Sequence, residues 1–354
     1  MGHPRRATAR IDRLHLHHAL LGLRLHDPEA APGWWYARSV GLEPDAGETV
    51  WCCEFMTHQD GRVIDVTAGQ ITTKESEELV RALNERLGSE QLRWVTGDGP
   101  HHLLIARDPS MAAEPAMPRS APNHLMGRRW SQQVPRGPLG KALQALMARA
   151  SNVLEAHPVN RVRVDLGENP ANVAWLWGPA SIKPQRSFAE WAGCSGAIVS
   201  RFFPMRGVSQ AFGLTWHDGP SSLDESSLHT LMASMDALLA RHDRVYVHLR
   251  IMAADPVERL CAMERIDQLV LKPLTERLPQ LGPWRLLVAV DDQARQRVPF
   301  VAIGTGLPQR PVAHLGADDL AGTPLVFEEA ERAFAWFIQG AESAAARHEG
   351  REAS

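Results

Sequence analysis

Ala171-Asn172-Val173-Ala174-Trp175-Leu176-Trp177-Gly178 is the stretch on which the fold turns. Val173 to Trp177 is an unbroken apolar run. Gly167, Asn169 and Pro170 bound it on one side and Gly178-Pro179 on the other. A run this short between turn residues reads as a strand covered on both faces, as at the centre of a mostly parallel sheet. Each indole brings an N–H that needs a partner once buried. On spacing alone the two tryptophans are core residues.

Upstream, Pro138 to Ala156 carries Leu139, Leu143, Leu146, Met147, Ala150, Val153 and Leu154 on one helical face. This helix delivers the chain to His157-Pro158-Val159-Asn160. Further upstream, Val50–Thr57 and Arg62–Val66 read as a hairpin closed by Gln59-Asp60-Gly61. Thr72-x-x-Glu75 is a capping box that starts a helix ending at Gly88. Leu92–Val95 and His101–Ala106 complete a ββαββ unit. Downstream, strands at 196–200, 245–251, 285–290 and 298–303 alternate with helices at 222–241 and 256–278, and a last helix covers 328–340. That alternation predicts an α/β core with helices on both faces; residues 343–354 are expected to fray.

The chain has 354 residues, 38 basic and 41 acidic, for a formal charge of −3. No basic stripe points to nucleic acid, and no apolar run is long enough for a membrane helix or a signal peptide. Four scattered cysteines (Cys52, Cys53, Cys194, Cys261) fit neither a disulfide framework nor a zinc site. The expected location is the cytoplasm. His15, His17 and His18 could touch a metal, but without carboxylate or cysteine company they read as surface or half-buried helix histidines.

His-Pro-Val-Asn followed by Ala-Asn-x-x-Trp-Leu-Trp-Gly resembles the archaeal-type, cofactor-independent phosphoglycerate mutases of the alkaline phosphatase superfamily. The resemblance runs from about Leu20 to Gly304, through Leu21-Gly22, Ala68-Gly69 and Pro299-Phe300. It implies an alkaline-phosphatase-like core, mostly parallel, at 1–47 and 165–342. A smaller α+β cap is implied at 48–164, with 138–156 as hinge helix. It also implies phosphoryl transfer through a phosphoserine, aided by two divalent ions such as manganese.

Several positions depart from the pattern. No Ser-Asp precedes Leu21-Gly22, and the family's opening strand with its Gly-Asp-Gly turn has no counterpart. A start further upstream would restore a serine but not the ligands. Where the family has Pro-Asp-Glu-x-Gly-His, this chain has Met252-Ala253-Ala254-Asp255-Pro256-Val257, so two implied metal ligands are Ala253 and Val257. The Asp-His pair reads Asp291-Asp292, and Asp291 is the only surviving ligand position. Arg-Cys-Asn has become Cys52-Cys53-Glu54, and Tyr-Arg-His-Leu has become Pro100-His101-His102-Leu103. His102, His157, Asn160 and Lys183 are left as polar liners of a remnant substrate cleft, each also suited to a structural hydrogen bond.

Two functional readings follow. One is a catalytically silent homologue, binding no divalent ions and acting as a binding or regulatory protein. The other is a divergent mutase-like enzyme for phosphoglycerate or a related phosphorylated or phosphonate substrate. Expected partners are a small phosphorylated metabolite, a second copy, or a related mutase subunit.

Overall fold

The computed structural model describes residues 17, 21, 31–112, 121–180, 187–253, 255–290, 298–307, 326–327 and 330–339. The chain divides into two compact units. One comprises 27–220 with 237–249, the other 1–26, 221–236 and 250–354.

The first unit opens with α1 (Pro32–Ser39), in which only Arg38 is not buried. It is followed by β1 (Thr49–Gln59), β2 (Arg62–Asp65), α2 (Thr73–Leu87), β3 (Leu92–Asp98) and β4 (His101–Ala106). The β1–β2 turn puts Asp60 and Gly61 at φ 50° and 77°, the left-handed pair a two-residue hairpin needs. Thr72 and Glu75 form the expected capping box on α2. Then come α3 (Pro138–Glu155), α4 (Pro158–Asp165), β5 (Val173–Ala180) and α5 (Phe188–Ala192). The unit continues through β6 (Gly196–Ser200), α6 (Phe203–Phe212) and β7 (Thr215–Asp218), and closes with β8 (Arg244–Val247).

The pairing corrects one expectation. β5 is wholly buried, but its one ladder among the described residues is antiparallel, to β1. It forms the end of a five-stranded sheet in which β1 also pairs β4 and β2, and β4 pairs β3. Two layers explain why it reads as a central strand. Met147 of α3 meets the backbone at Leu176, and Tyr36 of α1 packs edge-on against Trp177. Because alternate residues face opposite ways, both faces are covered. Covering by helices and insertion between parallel neighbours leave the same apolar signature in sequence. The indole of Trp177 has no hydrogen-bond partner among the described residues. The ladder between β1 and β5 also crosses the boundary drawn at 164/165. Parallel pairing among the described residues is confined to β7-β6-β8, with β6 in the middle.

The second unit holds α8 (Pro256–Ile266), a π turn over Asp267–Leu271, and α9 (Lys272–Arg277). β9 (Arg285–Ala289) pairs antiparallel with β10 (Phe300–Gly304), and α10 (Ala330–Gln339) closes it. Arg285 ties its strand to that helix through the carbonyl of Phe337 at 2.8 Å. One further helix, α7 (Glu225–Leu239), has residues in both units. Among the described residues no helix is long and apolar enough to cross a membrane.

After β2 the chain makes an unusual turn. Ala68, Gly69 and Gln70 all have positive φ (49°, 65° and 55°), a conformation that disfavours side chains. Asp65 holds it from below, accepting from the Thr67 and Gly69 amides and from the Asn169 side chain at 2.7–2.9 Å. Burial pushes the Asp65 carboxyl up, but these donors outweigh it and hold the group below its usual value. Arg163 of α4 holds the turn from above, donating to the Ala68 and Gly69 carbonyls at 2.9 and 3.0 Å.

Candidate functional site

Along β1, Cys52 and Glu54 share one face while Cys53 and Phe55 share the other. The antiparallel register sets Glu54 opposite His101 of β4, and Cys53 opposite His102. Cross-strand partners touch, so two positions far apart in sequence become one pair. His101 Nδ1 lies 2.7 Å from Glu54 Oε2. The Tyr36 hydroxyl, brought in by α1, donates to Glu54 Oε1. Glu54 is only 2 % exposed, so its carboxylate depends on these two donors.

Aromatic rings frame the pair. Phe203 stacks on His101 with centroids 5.9 Å apart, and Phe202 meets it edge-on at the same distance. Phe202 also contacts the His248 ring at 5.7 Å. His248 Nδ1 is 3.1 Å from the hydroxyl of Ser200, which accepts from the Phe202 amide at 2.9 Å. Ser200 ends β6 and His248 follows β8. The cluster therefore sits at the carboxyl ends of parallel strands, where open α/β sheets commonly receive ligands. Chemically it offers an imidazole oriented by a carboxylate, an arrangement suited to hydrogen-bonding or proton exchange with a ligand.

Three of the four liners expected from sequence fall among the described residues, and each makes a structural contact. His102 is fully buried against Phe55, with ring centroids 4.3 Å apart. Its Nδ1 accepts from the Gly97 amide at 3.1 Å, which leaves the proton on Nε2, without a partner among the described residues. His157 caps α4, accepting from the Val159 amide at 3.3 Å. Burial pulls its pKa down, and Arg81 adds to the shift. The Asn160 amide donates to the carbonyls of Leu154 and Ala171 and accepts from the Ala171 amide, at 2.7–2.8 Å. It is a clasp between the end of α3 and the approach to β5. Asn160 also lies on a surface cleft of about 430 Å³ with Glu155, Arg161, Asp165 and Asn172, which neither His102 nor His157 lines. Lys183 and Asp291 lie outside the described residues, as do His15 and His18.

The described residues do not supply the two-ion centre that the resemblance implies. None of their His, Cys, Asp and Glu side chains form a group of three or more able to hold a metal. Val257, in the first turn of α8, is 66 % exposed. Burial, and then the neighbouring Glu54, push the Cys53 thiol well above its usual range, which disfavours the thiolate a nucleophile needs.

The His102 environment carries a pH prediction. Burial, then the neighbouring His101, lowers its pKa from 6.5 to about 3. The unfolded chain therefore binds the proton more readily. The stability linked to His102 is complete above the unfolded value and is lost as pH falls below it toward about 3. His102→Gln should remove this dependence, narrowing the change in unfolding free energy between pH 7 and pH 5 by about 2 kcal/mol. Urea midpoints at the two pH values measure it; parallel curves for both proteins would refute it.

The fold and the cluster define an α/β protein with an antiparallel sheet carrying a buried acid–imidazole pair beside a short parallel sheet. Comparison with known proteins agrees. The family described as 2,3-bisphosphoglycerate-independent phosphoglycerate mutase matches residues 16–160. The enzyme of that name from Methanosarcina acetivorans is 31 % identical over 248 residues, spanning 67 % of this chain and 61 % of the relative. That from Methanothrix thermoacetophila is 30 % identical over 278 residues, spanning 73 % of this chain and 69 % of the relative. Among solved structures, the cofactor-independent phosphoglycerate mutase of Thermoplasma acidophilum superposes with TM-score 0.52 at 22 % identity, covering 93 % of this chain and 86 % of that one. The chain belongs to the 2,3-bisphosphoglycerate-independent phosphoglycerate mutase family.

Proposed function

We propose that the chain is a divergent phosphoglycerate mutase-like enzyme acting on a small phosphorylated or phosphonate metabolite. The observation that carries this reading is the Tyr36–Glu54–His101 cluster. It is an ordered, partly accessible polar group, built at two positions where the resemblance implies asparagine and arginine. A scaffold without a ligand would have no need to keep a buried carboxylate there. The reading carries with it a cytoplasmic setting and a metabolite partner. The Ala253 and Val257 positions favour a second reading, a binding or regulatory protein without phosphoryl transfer.

Phosphorus NMR of the purified protein with 3-phosphoglycerate and a panel of phosphorylated and phosphonate three-carbon acids, with and without manganese, separates the two. Turnover of at least one panel member is the expected result. Saturable binding with no turnover would replace the enzyme reading by the second, and absence of both would overturn each. Because alanine and valine offer no donor, elemental analysis after dialysis is expected to find far fewer manganese or zinc ions than chains. Stoichiometric retention would restore a two-ion reading.

A further inference from the structure

The hydrogen bonds of the cluster fix which nitrogen of His101 is available. Nδ1 serves Glu54 at 2.7 Å, and Tyr36 occupies the other carboxylate oxygen. Nε2 takes no hydrogen bond from any described residue. The side chain is 20 % exposed, so this edge of the ring opens outward. The ring has little freedom to turn away: Phe203 lies parallel to it at an interplanar angle of 1°, while Phe202 and Tyr36 meet it edge-on. A positive charge acquired by the ring is matched at once by Glu54. In that state Nε2–H is a fixed, charge-assisted donor; in the neutral state with Nδ1 bonded to Glu54, Nε2 is an acceptor that repels an anion.

We propose that His101 is a protonation-gated receptor for an oxyanion. A carboxylate or phosphate oxygen of a small metabolite accepts from Nε2–H, and binding takes up a proton. The inference rests on the reading that this unit binds a phosphorylated metabolite, and it adds how that ligand is held. An arginine at position 101, as the resemblance implies, would keep its charge at every physiological pH. Here the charge is conditional, and Glu54 makes the protonated pair neutral overall, so a dianion loses the advantage it would have beside a guanidinium. Among the described residues the other ionisable groups around His101 are few. Tyr36 comes from α1, Glu54 from β1, and His102 from its own strand, on the opposite face. Asp98 of β3 stands opposite His101 and accepts from the Thr73 hydroxyl at 2.5 Å. His248 lies beyond the Phe202 ring, bonded to Ser200.

Isothermal titration of the full chain with 3-phosphoglycerate, in buffers of differing ionisation enthalpy, counts the protons taken up. Protons exchanged by the ligand itself are common to every variant, so the comparison with E54N/H101R isolates His101. Wild type should take up the larger fraction, and its affinity should fall by up to about tenfold per pH unit as the ring deprotonates. The double variant should show a shallower profile that reflects the ligand alone. Equal uptake and equal profiles in two proteins that both bind would overturn the inference while leaving the proposed function intact. If neither binds, the reading on which it rests falls too. Should the double variant not fold, the ring nitrogen shifts of wild-type His101 decide. Nδ1 must be protonated without ligand, and Nε2 must gain a proton as 3-phosphoglycerate is added; an unchanged Nε2 overturns the proposal.

Discussion

Replacing Arg163 by methionine is expected to destabilise its unit by about 3–5 kcal/mol, lowering the melting temperature by roughly 10 °C. The side chain is 3 % exposed yet fully engaged. It meets Glu75 at 2.7 Å, Glu168 at 3.0 Å and the Asn169 carbonyl at 3.0 Å, besides the carbonyls of Ala68 and Gly69. Methionine keeps much of the stem's packing but strands those carbonyls beside a turn of three left-handed residues. Lysine would keep the charge but not the fork that reaches several acceptors at once. Arg163→Lys should therefore recover less than half of the loss. Urea unfolding of both variants tests this; a methionine variant within 1 kcal/mol of wild type, taken as about the value of one ordinary hydrogen bond, would show that the network contributes little.

Gly207→Ala should also be strongly damaging, for a steric reason. A Cβ at Gly207 would sit 1.7 Å from the carbonyl oxygen of Trp35 and 2.5 Å from the Ser39 hydroxyl. On α1 itself, the helix that carries Trp35 and Ser39, a Cβ at Gly33 would lie 2.2 Å from the Val50 carbonyl. α1 is thus held between β1 and α6 at distances only glycine permits, and Ser39 adds a hydrogen bond to the Phe203 carbonyl at 2.8 Å. Backbone atoms cannot yield as a side chain can, so α1 must move and carry Tyr36 off Glu54. A loss of about 3 kcal/mol or more is expected, together with a change in the ring shifts of His101. Gly127→Ala is the control, since no atom lies within 4 Å of its added carbon, although its φ of 72° brings a backbone penalty of its own of about 1 kcal/mol.

Much of this architecture can be read from the chain itself. The capping box at Thr72–Glu75, the Asp60-Gly61 turn and the apolar face of α3 are local signals, and each forms the expected element. The partner of the tryptophan strand is not local. Val173–Trp177 announces that both its faces are covered, but not whether by strands or by helices, and α1 and α3 supply the cover. α1 itself is hard to see, because Trp34, Trp35 and Tyr36 are weak helix formers and are held by burial. The site shows the same limit. Glu54 and His101 each stand out as departures from a family pattern, yet only the register of β1 with β4 shows that they meet. Conversely, His102 and Asn160 look available in sequence because hydrogen bonds to main-chain groups leave no trace in composition.

The ladder between β1 and β5 also has a meaning for how the protein is made. β1 emerges from the ribosome with β2 and β4 close behind it, but its other edge must wait for Val173–Ala180, more than a hundred residues later. At ordinary rates of translation that interval is on the order of ten seconds. Throughout it, an apolar strand containing Trp51, Cys53 and Phe55 presents an unpaired edge, the kind of surface that recruits other chains. The tryptophan strand is therefore the latch that ends this exposure. A nascent chain stalled before residue 173 should be a far better chaperone substrate than one stalled after residue 180.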